Sequence, residues 1–143
     1  MLQHSDILTS IKARWDRDGT LRQLIPGELH YRENTGTAEP WATFWLDEEE
    51  IEFNSGNVYI QDYTLTLGVF NTRGPVEAGK IGAAIDRFFN RDRPQDFLLP
   101  GPNARFLDLA PDPSALELDE DSREARSVLL LSRRYALKVQ AER

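Results

Sequence analysis

The sequence predicts an α+β fold, with a mainly antiparallel sheet and two helices packed on one of its faces. From Val58 to Val69, one set of alternate positions is aromatic or aliphatic except at Gln61, and the other set includes Asp62, Thr64 and Thr66. This pattern is typical of a strand with one buried and one wet face. In Ser5–Asp16 and Pro75–Asn90, apolar residues recur at the spacing of amphipathic helices. A helix between two long strands favours helices packed against a sheet.

Each predicted helix has a start signal and an apolar stripe. Ser5 is a suitable N-cap for the first helix, and Pro75 suits the first position of the second. The residues expected to pack on the sheet are Ile7, Ile11, Trp15, Ile81, Ile85 and Phe88.

Shorter patterns predict the remaining elements. Leu21–Ile25 is expected to be an apolar turn, and Glu28–Arg32 is a candidate short strand. Trp41–Leu46 is predicted as a strand rich in aromatic residues, and Glu50–Phe53 continues or follows it. After the second helix, the candidate strands are Arg105–Leu109, Ala115–Leu118 and Ala125–Gln140.

Length and composition indicate a single domain, residues 1–143, with a loop-rich excursion at about 96–124. The chain contains no cysteine, which excludes disulfides, thiolate catalysis and cysteine-based zinc sites. No stretch approaches the ~20 apolar residues of a membrane span. The N-terminus also lacks the pattern of a signal peptide, so we expect no membrane partner.

The net charge of −7 is unevenly distributed along the chain. Residues 39–52 hold six carboxylates and no basic residue, and residues 112–124 hold six carboxylates and one arginine. Because nucleic-acid binding requires a basic stripe, no sequence-specific nucleic acid partner is expected. The acidic runs are either solvated faces or surfaces that meet a basic partner.

Residues Gly74–Ile81 match the nucleotide-binding P-loop pattern except at its last position. Ile81 replaces the Ser/Thr hydroxyl that holds Mg²⁺, Glu77 would repel phosphate, and Pro75 lacks one of the required N–H donors. The same residues suit the start of a helix. The segment is therefore predicted to bind no nucleotide.

Candidate catalytic and metal-binding residues are few. His4 and His30 have no sequence neighbours that would complete a catalytic or metal site. Asp119–Glu124 begins like a calcium loop, but Glu124 stands where glycine is required. Asp47–Glu50 would hold a divalent ion only by folding back on itself. We therefore expect no enzyme activity, no catalytic residue, no metal and no cofactor.

Trp41 and Trp45 lie four residues apart in a predicted strand, so their side chains point to the same face. Phe44 and Leu46 point to the other face, which makes both faces apolar. One face is then expected to be core. The other either lies under the excursion or belongs to a subunit interface, where tryptophan is enriched.

The order and length of these elements resemble the tail-terminator (tail-completion, minor tail) proteins of long-tailed bacteriophages and prophages. The resemblance is one of pattern over most of the chain, and the excursion Asp96–Glu124 departs from it. It rests on the N-terminal helix, the early and aromatic strands, the run Tyr59–Phe70, the helix with Val76, Glu77 and Ala78, and the closing strand Tyr135–Val139.

The resemblance implies a small, non-enzymatic subunit that forms a ring, commonly a hexamer, on the tail tube. Its implied partners are copies of itself, tail-tube proteins and head-completion proteins. It would assemble in the bacterial cytoplasm and remain in the virion tail. DNA passes through such rings, and an acidic lumen would keep it from binding there.

For such a ring, the sequence suggests an interface on the Trp41/Trp45 face and at the exposed edges of the long strands. Carboxylates beside that face would repel their counterparts in neighbouring subunits unless arginines meet them. The interface residues predicted are Trp41, Trp45, Glu48, Glu49, Glu50, Arg133 and Arg134.

The alternative function is a small-ligand-binding or enzymatic α+β domain of unknown substrate, with its site between the sheet and the excursion. The oligomeric state of the purified protein discriminates between the two hypotheses.

Lys80→Ala is predicted to leave the free energy of unfolding within about 0.5 kcal/mol, because a surface helix lysine contributes little to stability. Neither the parent nor the variant should bind ATP or GTP in isothermal titration calorimetry with Mg²⁺. A Mg²⁺-dependent affinity that is lost in the variant would restore the P-loop interpretation.

Overall fold

The structure is a computed structural model that describes residues 2–32, 39–53, 56–90, 92–101, 103–111 and 129–142. Its helices are α1 (His4–Asp16), α2 (Gly19–Leu24) and α3 (Pro75–Phe88), with a 3-10 turn at Pro94–Asp96. Its strands are β1 (His30–Tyr31), β2 (Trp41–Phe53), β3 (Val58–Thr72), β4 (Arg105–Pro111) and β5 (Leu129–Glu142).

The five strands form one sheet in the order β1-β2-β3-β5-β4. Every neighbouring pair is antiparallel except β1 and β2, which run parallel. The predicted α+β class and mainly antiparallel sheet are therefore confirmed.

The central strand β3 shows the predicted alternation. Tyr59, Tyr63 and Leu67 are buried, whereas Thr64 and Thr66 between them are only half-buried. Because residues paired across antiparallel strands point to the same face, β3 imposes this division on β2 and β5. We call the buried side the helix face and the other side the open face.

Both long helices pack on the helix face. The six side chains predicted for this contact are all buried in one hydrophobic cluster: Ile7, Ile11, Trp15, Ile81, Ile85 and Phe88. The ring of Phe88 meets Trp15 edge-on at 5.4 Å and Phe97 at 5.2 Å between centroids. These aromatic contacts join α1, α3 and the segment that leads to β4.

Several predicted boundaries are corrected. Helix α1 has Gln3 rather than Ser5 at its N-cap, and the Gln3 N–H donates to the Asp6 carboxylate at 2.8 Å. The predicted apolar turn Leu21–Ile25 is largely helix α2, because the Asp18 carboxylate accepts from the Leu21 N–H. Helix α3 ends at Phe88, before the predicted Asn90.

The strand predictions are mostly confirmed with adjusted ends. The segments Trp41–Leu46 and Glu50–Phe53 form the single strand β2, with an irregular register between Glu48 and Ile51. The candidate strand Ala115–Leu118, the acidic residues 112–124 and the calcium-like loop lie outside the described residues.

Ile85→Ala is expected to lower the free energy of unfolding by about 2–5 kcal/mol, since Ile85 is fully buried and the substitution leaves a cavity. The matched control is Val76→Ala on the same helix, because Val76 is 74% exposed. Urea unfolding measures both. Equal stability of Ile85→Ala and the control would contradict the packing described for α3.

Candidate functional site

The open face presents rows of side chains from three adjacent strands. Trp45 of β2, Thr66 of β3 and Arg134 of β5 form one row, since each is paired in register with the next. Asp47, Thr64 and Ala136 form the row beside it in the same way. The described helices cover the opposite side of the sheet, and the part of the predicted excursion at residues 112–124 lies outside the described residues.

The two tryptophans share the open face, as their spacing predicted, but they differ in exposure. Trp41 is 5% exposed, because its ring stacks on Phe70 at 4.4 Å and meets His30 edge-on at 6.4 Å. Trp45 is only half-buried. Of the pair, Trp45 therefore has the surface that a partner would contact.

A shallow depression of about 300 Å³ lies beside Trp45 on this face. Its lining residues are Asp47, Glu49, Thr64, Thr66, Arg134, Tyr135 and Ala136. Within it, the Thr64 hydroxyl donates to the Glu49 carboxylate at 3.1 Å. Arg32 forms an ion pair with Asp47 at 3.4 Å. The depression combines both charge signs with hydroxyl groups.

Next to the open face, residues 47–53 of β2 form what we call the acidic edge. All seven residues are exposed, and they include the predicted Glu48, Glu49 and Glu50. The apolar residues Ile51 and Phe53 are 38% and 50% exposed. This combination of carboxylates and partly exposed apolar side chains suits contact with another macromolecule.

The predicted arginine pair is divided between the two sides of the sheet. Arg134 lies exposed on the open face, whereas the Arg133 side chain is 13% exposed on the helix face. There, the Arg133 Nε donates to Asp86 at 3.2 Å, and a Cβ at Gly82 would collide with its guanidinium. Arg133 therefore lies on the side of the sheet opposite to Trp45 and Arg134.

The Asp86 carboxylate also accepts a hydrogen bond of 2.7 Å from the Tyr135 hydroxyl. Burial raises the pKa of Tyr135, and the hydrogen bond to Asp86 raises it further. The hydroxyl thus remains a proton donor, and the contact ties β5 to α3. Burial likewise raises the pKa of Tyr63 to about 12, with smaller contributions from Glu48 and Tyr59.

The other residues considered as catalytic or nucleotide-binding candidates make contacts within the fold. His4 stacks on Tyr63 at 5.9 Å. Gly74 takes a φ of 128° before α3, and the Glu77 carboxylate accepts from the Arg73 N–H at 3.1 Å. Glu77 therefore occupies the helix start, as the non-nucleotide interpretation predicted. No group of three potential metal ligands occurs among the described residues.

None of the helices described is both long enough and apolar enough to cross a membrane.

Comparison with solved structures relates this fold to a known assembly. A chain from the virion of a native gene transfer agent particle matches with a TM-score of 0.66 and 13% identity, over 96% of each chain. The protein shares its fold with this virion component. A second match is AChBP from Capitella teleta in complex with lobeline, at 17% identity over 94% of this chain and 63% of that chain. Its TM-score of 0.31 supports no argument.

Sequence comparisons give no further assignment, since no family model and no curated protein match the chain.

Three residues that shape these surfaces were not predicted from the sequence. Phe70 covers Trp41, Thr66 separates Trp45 from Arg134, and Asp86 holds Arg133. The alternation of adjacent strand residues was a sufficient signal to place Arg133 and Arg134 on opposite faces. The contact with Asp86 depends on packing between distant segments and leaves no local pattern.

Tyr135→Phe should lower the free energy of unfolding by about 1 kcal/mol, because it removes the hydrogen bond to Asp86 and keeps the ring. Tyr31→Phe is the control, since the Tyr31 hydroxyl makes no hydrogen bond within the described part of the chain. Urea unfolding of both variants is the measurement. An equal loss in both would show that the Asp86 contact adds no stability.

Proposed function

We propose that this protein is a structural subunit of a phage-like virion, of the tail-terminator type. In this role it forms a ring that caps the tail tube and docks to the head. The observation that supports the proposal most strongly is the fold likeness to a gene transfer agent virion component over 96% of both chains. The element order that resembles tail terminators supports it independently.

The open face is the proposed contact between ring subunits. Trp45 offers a half-exposed aromatic anchor, which is the residue type that contributes most to protein interfaces. Arg134 lies in its row and Asp47 in the next, so cationic and anionic groups flank the anchor. In a ring, each subunit uses this patch against a different patch on its neighbour. The charges therefore set the register between subunits.

The proposed partners are copies of this chain, tail-tube proteins and head-completion proteins, and the protein is proposed to remain in the virion. The carboxylates of the acidic edge suit a structure through which DNA passes, since they repel phosphate. The proposed role requires no catalytic residue. A small-ligand or enzymatic function stays the alternative that a monomeric protein would favour.

The ring is predicted to appear as a defined oligomer in light scattering and native mass spectrometry as protein concentration rises. Trp45→Ala should weaken this self-association about tenfold or more, because it removes the aromatic anchor. Leu98→Ala is the matched control, since Leu98 is 75% exposed and does not line the depression on the open face.

If the protein remains monomeric at every concentration and salt strength, the proposal that it forms a ring is wrong. If Trp45→Ala leaves the oligomer unchanged, the proposed ring remains supported, but the contact between its subunits does not lie on the open face.

A further inference from the structure

A second concave surface lies among the helices, on the side of the sheet opposite to Trp45. It has a volume of about 210 Å³. Its lining includes three arginines, two aspartates and one aromatic ring: Arg14, Arg87, Arg93, Asp18, Asp96 and Phe88. These residues belong to α1, α3, the N-cap of α2 and the 3-10 turn with its N-cap. We call this surface the arginine pocket.

The charges that line the arginine pocket do not balance. Asp96 is shared between Arg93 at 3.2 Å and Arg14 at 3.8 Å. Arg87 reaches Asp18 at 3.6 Å, but the Asp18 carboxylate also caps α2. Each arginine forms one ion pair among the described residues, although a guanidinium has several N–H donors. The pocket therefore has an excess of one positive charge and unused donors, in a chain whose net charge is −7.

The size and charge of the pocket identify the group that fits it. Its volume is below the about 300–1,000 Å³ of pockets for drug-sized ligands, so it suits one small anionic group. A single carboxylate balances the excess positive charge, and its two oxygens match the planar fork of a guanidinium. The side chains of Arg87 and Arg93 are 59% and 66% exposed. A carboxylate on another molecule can therefore reach them.

The open face has the complementary charge. Glu49 lines the depression beside Trp45, and the register of β2 with β3 places Glu52 on the same face. Both glutamates are exposed, and neither forms an ion pair with another described residue. Asp47 is already in an ion pair. With Arg134 as the nearby cation, the two glutamates leave an excess of one negative charge around Trp45.

The positions of these two surfaces suit a ring. A head-to-tail ring requires two different patches on each subunit, both in use at the same time. The open face and the arginine pocket lie on opposite sides of the sheet, so contact at one does not obstruct contact at the other. Two open faces placed together would instead oppose like charges.

We propose that the arginine pocket of one subunit binds the carboxylates of Glu49 and Glu52 from the next copy of the chain. This inference rests on the proposed ring and identifies the patch that meets the open face. Trp45 supplies the aromatic anchor of the contact. The arginines determine which part of the neighbour is accepted, since they bind carboxylates and repel other basic groups.

Reciprocal charge reversal tests the contact. One variant combines Arg87→Glu with Arg93→Glu, and the other combines Glu49→Arg with Glu52→Arg. Each should raise the protein concentration needed for half-maximal association about tenfold or more, because like charges then face each other. An equimolar mixture should associate within about threefold of the parent, since every contact in it can join acidic to basic groups. Light scattering and native mass spectrometry are the measurements.

The control variant combines Arg22→Glu with Lys80→Glu. It makes the same change in net charge as the Arg87/Arg93 variant, at two exposed helix residues that do not line the pocket. It should associate within about twofold of the parent, because exposed charges are screened beyond about 8–10 Å. Circular dichroism checks that each variant is folded.

The outcomes separate this contact from the ring itself. An oligomer that both charge-reversal variants leave intact would overturn the contact and retain the ring. Failure of the mixture to associate would show that the two surfaces do not meet, which also overturns the contact alone. Equal weakening in the control variant would show an effect of net charge and not of the pocket. A parent protein that stays monomeric would contradict the ring and the contact together.

Discussion

Along β3, residues 59 to 67 alternate between a buried face and a half-exposed face, and this alternation constrains the other surfaces of the protein. Residues paired across antiparallel strands share a face, so the phase of β3 is transmitted to β2 on one side and β5 on the other. It sends Phe44 and Tyr135 toward the helices and Trp45 and Arg134 toward solvent. A shift of register by one residue would exchange the two sets.

The helix face is closed by aromatic packing, so in the described part of the chain only the opposite face lacks a helix layer. Phe89 meets Tyr135 at 4.6 Å and Phe97 at 5.8 Å, and Phe97 meets Phe106 at 5.6 Å. These rings connect the end of α3 with β4 and β5 on one side of the sheet. The Tyr135 hydroxyl reaches past them to Asp86, so the helix layer is held by polar as well as apolar contacts.

The sequence was informative where a structure repeats at a local period. Strand β3 and the buried stripes of α1 and α3 follow from such periods. Helix α2 was missed because its six residues are too short for a periodic signal, and its start depends on one carboxylate of Asp18. The candidate site was predicted only in part. The Trp41/Trp45 face is visible in the spacing, but the burial of Trp41 depends on Phe70, which is distant in sequence.

Charge distribution divides β2 into two parts. The carboxylates of this strand concentrate at residues 47–52, next to Ile51 and Phe53, whereas Trp41 to Leu46 carry no charge. Two copies of the acidic edge placed together would bring like charges close to each other, which disfavours contact between them. In the proposed ring, copies of the chain would therefore associate through the open face around Trp45.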